Sequence, residues 1–139
     1  MGQNSRQTVQ VMIIDNDKYV RESLSTFLGN ENLTFLIFKS GKEGLNALKY
    51  QKIDVVIADY FLPDMDGVTL LKTVAVQKPG TARILMATIT NDDLKKDIAR
   101  NQIDAFIEKP LSIASIDHTL CEIIKDYSTR SKSEKPDER

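Results

Sequence analysis

Apolar residues fall along this chain in five short runs, separated by longer stretches in which they recur every three or four positions. The runs are VQVMII (Val9–Ile14), LTFLIF (Leu33–Phe38), DVVIA (Asp54–Ala58), ARILMAT (Ala82–Thr88) and DAFIE (Asp104–Glu108). Short runs rich in Val, Ile and Phe predict strands. Between them the spacing turns helical. From Asp17 onward Val20, Leu24, Phe27 and Leu28 share one face, and Gly29 closes that helix. Ser40 to Glu43 (SGKE) reads as a capping box opening a short helix with Leu45 and Leu48 inward. Val68, Leu71 and Ala75 mark a third helix, and Leu94 and Ile98 a thin fourth one over Asp92–Arg100. Ile113, Ile116, Leu120, Ile123, Ile124 and Tyr127 give the fifth its stripe. Residues 1–8 and 128–139 are polar and aperiodic, so a single domain over residues 9–127 between a disordered start and a polar tail or linker is expected.

The runs show little polar alternation, which implies burial on both faces and hence a parallel sheet with helices on both sides. Right-handed crossovers then favour an α/β doubly wound sheet, whose ligand site lies beyond the carboxyl ends of the strands. The residues following those ends are informative. Asp15, Asn16 and Asp17 follow the first run, Asp59 the third, Thr88 and Thr90 the fourth, and Lys109 with Pro110 the fifth. One rim therefore gathers acids, hydroxyls and a lysine. Neighbouring carboxylates repel unless a cation joins them. Oxygen donors without histidine or thiolate suit a hard divalent ion, Mg²⁺ above all. Lys109 adds a point charge suited to a phosphoryl oxygen, and Thr88 a hydroxyl donor. The set suits a transferring phosphoryl group, with Asp59 as carboxylate nucleophile. An acid at a strand end can also simply cap the next helix, and Asp17 is placed to do so.

Composition narrows the partners. The chain has 139 residues and a formal net charge of -1, with 41% hydrophobic and 28% charged residues. That size sustains a core without staples, and that charge gives no bulk attraction for nucleic acid or an anionic membrane. The lone Cys121 excludes an internal disulfide and is expected as a small core residue. The lone His118 builds no histidine metal site and is expected on a solvated helix face. No apolar run approaches the roughly 20 residues that span a bilayer, and no signal-peptide pattern opens the chain, so a cytoplasmic location is expected.

The pieces VMIIDN, VVIADYFLPDMDG, ILMAT and FIEKPL, in this order, resemble the receiver domain of two-component response regulators over roughly Val9 to Tyr127. The resemblance implies a flavodoxin-like, five-stranded parallel sheet flanked by five helices. Asp59 would accept the phosphoryl group from a sensor histidine kinase or phosphotransfer protein. Asp15, Asn16, Asp59 and the carbonyl of Phe61 would hold Mg²⁺. Thr88 and Lys109 would contact the phosphoryl group, and Thr88 with Phe106 would form the switch. The Lys109–Pro110 bond would be cis. The face formed by the fourth helix, fifth strand and fifth helix would be read by an effector protein or an attached effector domain, and a homodimer is a further option. The chain would not be an enzyme beyond assisting its own phosphotransfer and dephosphorylation.

Three positions depart from the family pattern. Asn16 stands where a second acid is usual, so weaker metal binding is expected. Ile89 stands where a small residue is usual, and Phe61 lies close to the acceptor. The two together would narrow the entrance and shield an acyl phosphate from water. Two rival readings remain open at this stage. One is a receiver-like binding or dimerisation module that is never phosphorylated. The other is a phosphatase of the haloacid-dehalogenase type, suggested by IIDND, with Asp15 as nucleophile and Asp17 as general acid.

Overall fold

The computed structural model describes residues 8–26, 33–88, 92–101, 103–110 and 112–134, with only the backbone for 23–26, 113 and 125–134. The element order is β1 (Val9–Ile14), α1 (Lys18–Thr26), β2 (Leu33–Phe38), α2 (Gly41–Leu48), β3 (Val55–Asp59), α3 (Gly67–Gln77), β4 (Ala82–Ala87), α4 (Asp92–Arg100), β5 (Ala105–Glu108) and α5 (Ile113–Glu134). The five strands form one sheet in the order β2-β1-β3-β4-β5, every pairing parallel. This is the doubly wound arrangement expected from the unbroken apolar runs. The order reverses direction at β1 and β3, so the switch point lies between Asp15 and Asp59.

Side chains leave a strand alternately to its two faces, and two separate cores result. Met12, Ile14, Val56, Ala58, Leu85 and Ala87 meet Leu48 of α2, Val68, Leu70, Leu71 and Val74 of α3, and Leu94 of α4. Val11, Ile13, Val55, Ile57, Ile84, Met86 and Ile107 meet Ile116, Leu120 and Ile123 of α5. Each fully buried side chain of this kind contributes about 1.5–3 kcal/mol relative to exposure. A polar replacement of Ile57 or Leu85, central in the sheet, would cost the most because no neighbour offers a hydrogen bond.

Local signals set the helix starts. Asp17 caps α1, its Oδ1 accepting from Tyr19 N at 2.9 Å. Ser40 Oγ accepts from Glu43 N at 3.2 Å, and Glu43 Oε1 accepts from Lys39 N at 3.3 Å, one residue before the expected box partner. Asp66 caps α3 by accepting from Thr69 N at 2.8 Å. In α4 Leu94 is buried and Ile98 packs part-buried against the first core, matching the thin stripe.

One expectation is corrected. Cys121 is exposed rather than in the core. Leu120 already points inward, and one residue further rotates the side chain about 100° away along an α-helix. The backbone of α5 continues as helix to Glu134, past Tyr127 where the apolar stripe of the sequence ends. His118 is exposed, as expected. The Gly29 helix stop, Ile89, Thr90 and residues 1–7 and 135–139 lie outside the described residues.

Candidate functional site

The site is assembled by strand register. Ile14 pairs with Ala58, so the next residue on each strand brings Asp15 beside Asp59. Asp59 pairs with Met86. Ala87 pairs with Glu108, and Lys109 N donates to Ala87 O at 2.9 Å, so the next step sets Thr88 beside Lys109. The Lys109–Pro110 peptide is cis, as expected.

Both acids are buried: Asp15 is 0% exposed and Asp59 6%. The Lys109 ammonium bridges them, donating to Asp59 Oδ1 at 3.1 Å and Asp15 Oδ2 at 3.3 Å. Asp15 Oδ1 accepts from Asp17 N at 2.8 Å, which fixes the plane of that carboxylate. Burial, then the negative charge of Asp15, raise the Asp59 carboxyl above its ordinary value. The Lys109 hydrogen bond and charge and the Tyr60 N–H oppose that rise and lose. Burial pulls the Lys109 ammonium down, but the charge of Asp15 and the hydrogen bond and charge of Asp59 outweigh it and raise the pKa.

One ammonium thus faces two buried carboxylates, and one negative charge is left uncompensated. The donor set is oxygen only, which suits a hard cation. Among the described residues no group of three or more His, Cys, Asp or Glu could hold a metal ion. Two carboxylates would have to be completed by carbonyl oxygen and water. Mg²⁺ tolerates that composition, because it keeps several waters.

The other expected residues divide. Asn16 is exposed at the rim, and its carbonyl accepts from Arg21 Nη1 at 3.1 Å. Phe61 is 74% exposed and meets Tyr60 edge-on, with ring centroids 4.9 Å apart. Thr88 is exposed one residue past β4. Phe106 is half-buried in β5 and packs against the first core. Asp17 turns its carboxylate to the start of α1, the capping role that the sequence also allowed it.

The loop from Tyr60 to Asp66 is held at both ends. Tyr60 N donates to Met86 O and Gly67 N donates to Tyr60 O, both at 2.8 Å, and Phe61 pairs with Asp66 as an isolated antiparallel bridge. A side chain on Gly67 would collide with the carbonyl of Asp59, so α3 can start this close to Asp59 only with glycine there. Sequence reading missed the role of Asp64, whose carboxylate reaches α2. Its partners lie 22 and 23 positions away, and no local pattern announces them.

Residues 11–120 match the profile of the response regulator receiver domain. The chain belongs to the receiver family of two-component response regulators. It is 33% identical over 105 residues to the DNA-binding transcriptional regulator NtrC of Escherichia coli, covering 74% of this chain and 22% of that protein. It is 28% identical over 131 residues to a protein-glutamate methylesterase/protein-glutamine glutaminase of Nitratidesulfovibrio vulgaris, covering 88% of this chain and 35% of the relative. The receiver therefore spans well under half the length of these relatives. The chemotaxis response regulator CheY4 of Vibrio cholerae superposes with a TM-score of 0.77 at 22% identity, over 84% of this chain and 99% of that one. A CheY-like receiver domain protein of Methanospirillum hungatei gives 0.82 at 22% identity, over 89% and 99%. These likenesses establish the flavodoxin-like receiver fold. Among the described residues no helix is long and apolar enough to cross a membrane.

Proposed function

We propose that this receiver accepts a phosphoryl group on Asp59 from the phosphohistidine of a sensor kinase or phosphotransfer protein, with Mg²⁺ bound at Asp15, Asp59 and nearby oxygens. The observation that carries the reading is the buried pair Asp15 and Asp59 bridged by one Lys109 ammonium. A carboxylate oxygen of Asp59 attacks phosphorus, a P–O bond forms, the P–N bond to the donor imidazole breaks, and the electron pair leaves with that nitrogen, which is neutral or protonated by solvent. Bound Mg²⁺ supplies Lewis-acid neutralisation of the phosphoryl oxygens. Lys109 is tied to the end of β4 through its backbone and moves its ammonium from carboxylate to phosphoryl oxygen as charge accumulates. Asp15 keeps its plane through the Asp17 N–H, and its Oδ2, on which Lys109 now donates, would be the oxygen offered to the cation. Asn16 brings no charge to the rim, so Mg²⁺ binding weaker than in a receiver with a third acid is expected.

The exposed hydroxyl of Thr88 is free to turn toward a new phosphoryl oxygen, and Phe106 moves further into the first core behind it. A covalent charge thereby biases a two-state element, α4–β5–α5, whose outer face an effector protein or an attached effector domain reads.

Incubation with phosphoramidate or acetyl phosphate and Mg²⁺, followed by intact mass measurement, tests this. A single phosphoryl adduct in the wild type, absent in Asp59→Ala and after chelation of the metal, is expected. No adduct in the wild type would leave a binding module that works without phosphorylation.

A further inference from the structure

At the tip of the loop after Asp59, Leu62 and Met65 pack against the first core, and one exposed side chain adds a polar contact to α2. Asp64, exposed at that tip, accepts from Gly41 N at 2.9 Å and from Lys42 N at 2.8 Å. These are the first two amides of α2, which have no partner within the helix itself. Ser40 already serves the third. The fit is close. A Cβ on Gly41 would come within 2.7 Å of Met65 Sδ, so a larger residue there would push aside the flexible end of that side chain. Deeper in α2, a side chain on Gly44 would collide with Ile14, the residue before Asp15. Slight desolvation pushes the Asp64 carboxyl upward, but the Gly41 and Lys42 N–H groups outweigh it and hold it below its ordinary value.

We infer that Asp64 is a positioning residue: it fastens the loop Phe61–Met65 to the start of α2, which makes α2 a splint between the strand end that bears Asp15 and the strand end that bears Asp59. The consequence for metal binding rests on the phosphoacceptor reading; the splint itself does not. The loop contains the Phe61 carbonyl expected on the cation, and holding that carbonyl in place is a second-layer contribution to affinity. Loss of such a contact costs about tenfold in metal affinity.

Three variants separate positioning from general support of the helix. Asp64→Ala removes the strap. Asp64→Asn keeps one acceptor oxygen and should lie between it and the wild type. Ser40→Ala weakens the start of α2 without touching the strap. The first readout is the Mg²⁺ concentration giving half-maximal adduct formation with phosphoramidate. It should rise about tenfold in Asp64→Ala and stay put in Ser40→Ala. The second is amide hydrogen exchange without metal or phosphodonor. Exchange at Gly41, Lys42 and the loop amides of Phe61, Leu62 and Met65 should quicken about tenfold in Asp64→Ala, with α3 unchanged. Loop exchange equal to wild type in Asp64→Ala, or an equal loop effect in Ser40→Ala, would overturn the splint. If the wild type takes no phosphoryl group, the functional reading fails, and exchange still decides the splint. Quickened loop exchange with unchanged Mg²⁺ dependence would overturn the positioning role.

Discussion

The two ends of the sheet both carry aspartates, and they use them differently. At the amino end, Asp54 Oδ2 accepts from Gln10 N at 2.9 Å and Asp104 Oδ2 accepts from Arg83 N at 2.8 Å. Each acid there satisfies a backbone amide at a strand start. At the carboxyl end, Asp15 and Asp59 are buried side by side with one ammonium between them. Residue type is the same at both ends. What distinguishes the carboxyl end is a second buried acid beside the first, both on one ammonium.

The largest test of that contrast is Lys109→Met. It leaves two buried carboxylates without their cation and should destabilise by about 3 kcal/mol, read by urea unfolding at neutral pH without divalent metal. A loss no larger than at the amino end would erase the distinction. The pH dependence has a definite sign. The folded-state pKa of Lys109 is raised, so its contribution is fully present below its ordinary value of 10.5 and is lost as pH rises through the raised one.

Magnesium sharpens the comparison next. At a free concentration a hundredfold above its dissociation constant it should stabilise by about 2.7 kcal/mol, seen as a higher midpoint in thermal unfolding. Asp54→Ala should keep that gain and Asp15→Asn should lose most of it. An equal gain in all three would move the ion away from the carboxyl end.

At the amino end, Asp54→Ala and Asp104→Ala should each cost about 1 kcal/mol, with adduct formation at Asp59 unchanged. The smallest effect carries an unusual sign. Asp59 is held above its ordinary value of 3.8, so its favourable contribution is present below that value and declines as pH rises through the raised one. Asp59→Asn removes the decline and leaves Lys109 paired one to one with Asp15. Its midpoint at neutral pH should exceed that of the wild type in metal-free buffer. A lower midpoint would mean that Asp59 is a net stabilising charge.

The fold was legible because burial on both faces leaves an unbroken apolar run that nothing else in the chain imitates. Val55 to Ile57 and Ile84 to Met86 announce themselves in this way. The site was legible through register: once the strands are parallel, the residues after Ile14, Ala58 and Glu108 must share a rim. Side-chain direction past a strand end was not legible. The exposure of Phe61 and of Thr88 depends on loop geometry that periodicity does not encode. Cys121 was misplaced because an apolar neighbourhood in sequence was taken for one in space. Asp54, Asp64 and Asp104 each reach a partner far along the chain, between 21 and 44 positions away, and no spacing rule covers such pairs.

Lys109 has one further implication. Its ammonium sits at 3.1 and 3.3 Å from the two acids that a divalent ion would claim. Its positive charge offsets the repulsion between the two carboxylates. An incoming cation would therefore compete with a resident charge instead of filling a void. The freed lysine would then be at hand, with its donors unspent, for an arriving anionic group.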